Sequence, residues 1–239
     1  MQSILNRLIE KISAADIEQQ PDHNFYIEDV FDPTVYEELL TKLPSDQEYI
    51  FIDHPDAILP DGTRTRKLLS LTDQAIQSLS PEKHDFWHMM NAVLTSRALQ
   101  QTLVFKFYQR LCERFGNRMP PMANVPIFYR DFPGYFIGVH TDAPFKVITM
   151  QFYFPKDDSQ IHLGTSFHVR ENNQFKLLKT NPFKPNSAYG FVRTECSWHS
   201  VMQLAAQEKQ RDTLALTIYL ADHEEYERVK DLNNSGGYI

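Results

Sequence analysis

Three residues carry the strongest chemical signal in this 239-residue chain: His140, Asp142 and His199. His140 and Asp142 stand two apart in Val139-His140-Thr141-Asp142, after a Pro133-Gly134 turn and the apolar run Tyr135-Phe136-Ile137. On an extended strand, positions i and i+2 share a face, so both side chains can reach one metal ion. His199, in Ser197-Trp198-His199-Ser200, comes 59 positions later (199 − 140) and supplies a third ligand. Two imidazoles and one carboxylate on one side of an ion leave its other positions open, the facial set that suits non-haem Fe(II). Arg211 follows twelve residues after His199 (211 − 199) and opens a strand-like run through Leu220. A fixed cation at the head of a buried strand suits the far carboxylate of a dicarboxylate.

These residues need rigid elements to hold them. From Asn124 onward the apolar pattern has period two, and strands are expected at 125–130, 135–141, 146–154, 164–170, 174–180, 187–193, 198–203 and 211–220. Eight strands with antiparallel-type turns suggest a closed double-sheet jelly roll, with helices packed on one outer face. The first 120 residues read differently. Ile4, Leu8, Ile12 and Ile17 mark an amphipathic helix over 2–18, Phe25-Tyr26-Ile27 a short strand, and Asp32-Pro33 the start of a second helix that runs to Pro44. Residues 45–80 are mixed: Pro55, Pro60, Asp61-Gly62 and the cluster Arg64, Arg66, Lys67 suggest turns and a loop, either solvated or a lid over the metal pocket. Ser80-Pro81 opens a long helical stretch to about Phe115, with a break near Thr95. The expected organisation is a helical region with one strand and the loop over 1–120, a jelly-roll core over 121–222, and a tail over 223–239. Asn233 to Gly237 are expected to be mobile.

Composition removes several function classes. With 42% hydrophobic and 13% aromatic residues the chain can build a core. A formal charge of −7, with no basic run of five or six residues, argues against nucleic acid. No apolar stretch approaches the ~20 residues that span a bilayer. The charged N-terminal residues Arg7, Glu10 and Lys11 do not suit a signal peptide. The two cysteines, Cys112 in a helical pattern and Cys196 in a loop, form no disulfide framework, so a cytoplasmic protein is expected. Nothing in the composition indicates an oligomeric state.

The ordered series of His-x-Asp, distant His and downstream Arg resembles the Fe(II)/2-oxoglutarate-dependent dioxygenases, and within them the prolyl-hydroxylase-like branch. Matching features are the turn Phe132-Pro133-Gly134, a strand that ends in Tyr153, the segment Gly164-Thr165-Ser166-Phe167, and Tyr189-Gly190-Phe191 before the second His. The resemblance spans residues 125–221. It implies an α+β chain, mostly β in its C-terminal half, built on a double-stranded β-helix barrel with an N-terminal helical region packed outside. It also implies Fe(II) on His140, Asp142 and His199, with 2-oxoglutarate and O2 as cosubstrates, and hydroxylation coupled to formation of succinate and CO2. A carboxylate at Asp142, where related halogenases carry Gly or Ala, favours hydroxylation over halogenation.

The resemblance further implies that Arg211 and Tyr153 bind the far carboxylate of 2-oxoglutarate. By strand parity Thr213 accompanies Arg211, and Thr149 accompanies Tyr153, as cosubstrate ligands. Gln151 and Arg193 are expected at the substrate, Arg193 as receptor for an anionic group on a small molecule. Tyr129 is a lesser candidate, because the aromatic that matches the family turn is Phe132, which has no hydroxyl. His162 and His168 are assigned no role. The competing reading is a cupin-like metal-binding barrel without 2-oxoglutarate chemistry.

Overall fold

Eleven strands form among the described residues, 1–230, 232 and 233, of this computed structural model. In chain order they are β1 (Asn24–Glu28), β2 (Ile50–Phe51), β3 (Arg66–Ser70), β4 (Met122–Asp131), β5 (Ile137–His140), β6 (Lys146–Tyr153), β7 (Thr165–Glu171), β8 (Gln174–Thr180), β9 (Ser187–Val192), β10 (His199–Val201) and β11 (Arg211–Leu220). They form two sheets, a seven-stranded one ordered β1-β9-β6-β11-β4-β3-β2 and a four-stranded one ordered β5-β10-β7-β8. Every neighbouring pair is antiparallel. The chain is therefore α+β with antiparallel sheets.

The helices are α1 (Gln2–Ala14), α2 (Pro33–Lys42), α3 (Asp73–Ser78), α4 (His84–Leu94), α5 (Arg97–Lys106), α6 (Tyr108–Phe115) and α7 (Glu224–Lys230). The long helical stretch before residue 115 is three helices. One break follows Thr95, where the Ser96 hydroxyl caps α5 by accepting from Leu99 N. A second lies at Phe107. Gly116, at φ +72°, ends α6 in the left-handed region that glycine tolerates. Ile4, Leu8 and Ile12 of α1 and Trp87, Leu99 and Leu103 of α4 and α5 join one core with Phe128, Ile148, Phe152, Leu214, Leu216 and Ile218 of the large sheet. The odd-numbered residues of β11 turn the other way, and Arg211, Ala215 and Thr217 line a cavity. A second apolar cluster, with Tyr153, Phe167, Tyr189 and Phe191, contains residues from both sheets.

Three expectations need correction. Residues 45–80 are not one loop. β2 and β3 extend the large sheet, and Lys67, Leu68, Leu69 and Ser70 are buried. The charges in Arg66-Lys67 hid this strand, because their partners lie on neighbouring segments. The intervening stretch, with Ile52, His54, Asp56 and Ala57, faces a cavity together with Arg66 of β3. The tail begins with α7, whose Val229 is buried, and Leu232 is buried beyond it. Asn233 is held by two 2.8 Å hydrogen bonds to the backbone of Ser70, while residues 234–239 lie outside the described residues. No helix among the described residues is long and apolar enough to cross a membrane.

Candidate metal centre

His140 ends β5 and His199 begins β10, and the two are directly opposite in the antiparallel ladder. Their ring centroids are 4.3 Å apart. Asp142 follows two residues after His140, and one ligand atom from each of the three lies within 4.8 Å of the others. No other group of three His, Cys, Asp or Glu side chains converges in this way among the described residues.

Backbone carbonyls orient both imidazoles. His140 Nδ1 donates to Gly138 O and His199 Nδ1 to Ser197 O, each at 2.9 Å. A carbonyl can only accept, so the ring proton is assigned to Nδ1 and each Nε2 lone pair is left for a ligand. Burial lowers the pKa of His199 to about 4, against the opposing pull of Asp142, so its ring is neutral at pH 7. Burial alone would raise the Asp142 pKa, but Lys146 and the two histidines hold the carboxyl well below the usual carboxylate range. The neutral His199 ring and the ionised Asp142 carboxylate are the states that a cation requires. The Asp142 oxygens are already oriented, Oδ1 by Lys146 Nζ and Oδ2 by Thr149 Oγ1, both at 2.8 Å.

A rung of charge crosses the large sheet nearby. Asp131 of β4 is opposite Arg66 of β3 on one side and Arg211 of β11 on the other. Arg211 Nη1 donates to Asp131 Oδ2 at 2.8 Å, and Arg211 Nε to Leu163 O at 2.8 Å. Arg211 Nη2 is buried and has no acceptor. Arg66 Nε approaches Asp131 Oδ1 to 2.9 Å, an ion contact without hydrogen-bond alignment. The next rung, one residue along, belongs to the opposite face: Arg130 Nε donates to Asp212 Oδ1 at 2.7 Å, and Lys67 pairs with Asp46 at 2.6 Å.

The structure brings some expected residues together and separates others. Arg211, Thr149 and Gln151 line one inner cavity of about 110 Å³ with the three metal-ligand candidates. Tyr153 lies beside Arg211, whose Cζ is 5.5 Å from its ring, and its hydroxyl accepts from Thr165 N at 2.8 Å. Thr149 Oγ1 donates to the metal-ligand candidate Asp142. Thr213 is fully buried, and its Oγ1 accepts from Gln151 Nε2 at 2.8 Å. Gln151 Oε1 in turn accepts from Tyr189 Oη at 2.6 Å, so both ends of Gln151 are committed to a buried network rather than to substrate. Arg193 lines neither cavity at the centre. Its Nε donates to the backbone carbonyl of Asp142 at 3.0 Å and its Nη1 to Glu195 at 2.6 Å. It braces the loop that carries a metal-ligand candidate. His168 bonds to Ser200 Oγ at 2.7 Å and His162 to Glu208 at 3.0 Å, both away from the triad.

Sequence reasoning missed Arg66, Asp131, Lys146 and Tyr135. All four except Asp131 line a larger outer cavity of about 530 Å³ that shares His140 and Asp142 with the inner one. One signal was present: Arg130-Asp131 and Arg211-Asp212 fall on adjacent strands with complementary charge, and Arg66 faces Asp131 from the other side.

No protein-family model matches the sequence, and no curated protein matches it. Solved structures do match in shape. A prolyl 4-hydroxylase from Pseudomonas putida aligns over 91% of this chain and 98% of its own, at 11% identity and a TM-score of 0.50. A prolyl 4-hydroxylase from Phytophthora capsici aligns over 91% of this chain and 65% of its own, at 16% identity and a TM-score of 0.54. The epimerase SnoN, in complex with Fe3+, alpha-ketoglutarate and nogalamycin RO, aligns over 99% of this chain and 93% of its own, at 9% identity and a TM-score of 0.53. A 2OG-Fe(II) oxygenase from Burkholderia pseudomallei aligns over 94% and 92% at 10% identity, with a TM-score of 0.50. At these identities the likeness is one of fold, and the fold of this chain is that of the 2OG-Fe(II) oxygenases.

Proposed function

We propose that the chain is an Fe(II)/2-oxoglutarate-dependent dioxygenase on a jelly-roll core, and that it hydroxylates a small molecule. The observation that carries this reading is one inner cavity bounded by both a His-Asp-His cluster and the unpartnered donor Arg211 Nη2. The donor set fits Fe(II): two imidazoles, one ionised carboxylate and nothing softer. The orphaned guanidinium nitrogen fits a carboxylate, since a buried donor without an acceptor costs about 1–3 kcal/mol until one arrives.

In this reading His140 Nε2, His199 Nε2 and Asp142 hold the ion. Iron and 2-oxoglutarate, when bound, supply O2 activation with oxidative decarboxylation to succinate and CO2. Arg211 Nη2 receives the far carboxylate of 2-oxoglutarate. Tyr153 adds a second donor, because its pKa is raised by burial and its hydroxyl, accepting from Thr165 N, keeps a proton to give. Lys146 and Thr149 fix the Asp142 carboxylate, and Gly138 and Ser197 fix the imidazoles, so the ligands need little reorganisation. Ile137, Val201 and Phe191 give the inner cavity apolar walls that limit water. The substrate enters through the outer cavity. Both cysteines are unpaired, which fits the cytoplasm.

The test is succinate formation by purified protein supplied with Fe(II), ascorbate, O2 and 2-oxoglutarate. It does not require the substrate to be known. We expect slow succinate release that His199→Ala abolishes; equal release by that variant would overturn the assignment.

A further inference from the structure

We propose that Arg66 receives the carboxylate of an organic acid substrate held in the outer cavity; this rests on the 2-oxoglutarate reading above. Arg66 lines both the inner and the outer cavity, so it stands at their junction. Its guanidinium is clamped between two aromatic rings, with Cζ 4.1 Å from the Tyr129 centroid and 4.5 Å from that of Tyr135. Nη1 donates to Tyr135 Oη, and Nε faces Asp131. Among the described residues Nη2 donates to none. A clamped, planar donor loses little freedom when it binds an anion, which makes it a better receptor than a mobile surface arginine.

Charge balance selects Arg66 from the other cations of the outer cavity. Lys146 has its own carboxylate in Asp142, and Arg228 has its own in Glu225. Arg66 has none to itself, because Asp131 is shared with Arg211. In the loaded centre the two charges of Fe(II) cancel the two of 2-oxoglutarate. Asp142 cancels Lys146, and Asp131 cancels one of the two guanidiniums. Apart from the half-exposed Asp56 at the rim, one positive charge remains, beside the place where substrate must lie. Arg66, with 17% of its side chain exposed, is only partly screened by water, and a monoanionic substrate supplies the counter-charge that the shared Asp131 does not. A cationic substrate would double the remaining charge.

The rest of the wall describes the body of the acid. Ile52, Ala57, Ile137 and Phe145 are apolar, and the half-exposed carboxylate of Asp56 stands at the rim, 3.7 Å from His54. A volume of about 530 Å³ holds a compact organic molecule. The expected substrate class is an apolar or aromatic monocarboxylic acid.

The experiment is calorimetric titration of protein loaded with Mn(II) and saturating 2-oxoglutarate. The probes are the straight-chain acids from butanoate to decanoate and 3-phenylpropanoate, each paired with its primary amide. At least one acid should bind twenty-fold or more tighter than its amide. Arg66→Gln should reduce that acid to the level of the amide, while amide affinity stays within threefold. Arg66→Lys, which keeps the charge, should retain part of the preference and covers the case in which the Gln variant does not fold. Three outcomes overturn the proposal: no acid is preferred over its amide, the preference survives in Arg66→Gln, or the acid is displaced by rising 2-oxoglutarate and so binds at Arg211. Failure of Mn(II)-loaded wild-type protein to bind 2-oxoglutarate would instead refute the oxygenase reading, and the acid–amide comparison can still be made on that protein.

Discussion

Replacing Arg211 with lysine isolates the donor that the proposed function depends on most. Arg211 is fully buried, with Nη1 on Asp131, Nε on Leu163 O and Nη2 without an acceptor. Lysine keeps the charge, so Asp131 keeps a counter-ion and the buried pair is not broken. It cannot present two fixed donors in a fork as well. The loss is therefore one charge-assisted hydrogen bond to the far carboxylate, about 1.5–3 kcal/mol, or roughly 10- to 150-fold in 2-oxoglutarate affinity. Leu163 O also loses its donor, which costs the fold about 1–2 kcal/mol. Affinity is read by titrating 2-oxoglutarate into Mn(II)-loaded protein, with Mn(II) binding followed separately by its EPR signal. At a ligand concentration 100 times the wild-type Kd, binding adds ~2.7 kcal/mol of stability. With affinity thirty-fold weaker, the same concentration adds ~0.9 kcal/mol by the same relation. For a chain of this length that is a thermal shift of roughly 5–11 °C in wild type against 2–4 °C in the variant. Mn(II) affinity should stay within threefold in both. If the 2-oxoglutarate affinity of Arg211→Lys also stays within threefold, less than ~0.7 kcal/mol, Arg211 Nη2 is not the anchor.

Two further predictions concern the scaffold. Glu48 accepts from Lys83 Nζ at 2.6 Å and from the backbone of Ser45 and Ser80; burial opposes its ionisation, but these contacts lower its pKa from 4.5 to about 2. A depressed carboxylate pKa adds stability that is complete above the unfolded value and fades as pH falls towards 2. Glu48→Gln should therefore be less stable by about 3 kcal/mol at pH 7. In urea titrations the gap from wild type should narrow between pH 5 and pH 3; a constant gap would show that the ionised form is not what matters. Gly164→Ala puts a Cβ 1.7 Å from the carbonyl oxygen of Asn181, whereas Gly138→Ala meets nothing within 4 Å. The first should cost about 3 kcal/mol or more, the second within ~0.5 kcal/mol; matching urea midpoints for the two variants would contradict the packing described.

Where a residue's role depends on local pattern, the sequence already showed it. His140, Asp142 and His199 are brought together by strand parity and by one ladder pairing, so period-two reasoning placed all three in one cluster. The strands from 122 to 220 were legible for the same reason. Roles that depend on rotamer and register were not. Thr149, Gln151 and Thr213 sit on the predicted faces, yet each hydroxyl or amide is spent on a neighbouring side chain. Arg193 has the expected parity too, but its guanidinium folds back on the Asp142 carbonyl. Arg66 and Asp131 were hidden because their meaning lies in the pairing of β3 with β4 and of β4 with β11, contacts 65 and 80 positions apart in the chain (131 − 66 and 211 − 131).

The two charged rungs bear on how the chain finds a single alignment of its central strands. From Arg211 to Tyr219, β11 is buried on both faces, but Leu214, Leu216 and Ile218 enter the apolar core while Arg211, Ala215 and Thr217 line the cavity, so a shift of one residue would put arginine and threonines into the core. The hydrophobic pattern therefore already opposes a slip. The charges add to it. Native pairing sets Arg211 against Asp131 and Asp212 against Arg130. Sliding β11 by one residue in one direction sets Arg211 against Arg130, and in the other direction Asp212 against Asp131. Either slip confronts like charges in a buried sheet, at a cost of several kcal/mol. The rung that presents a cation to the candidate site thus also rules out the neighbouring alignments of the strand that carries it.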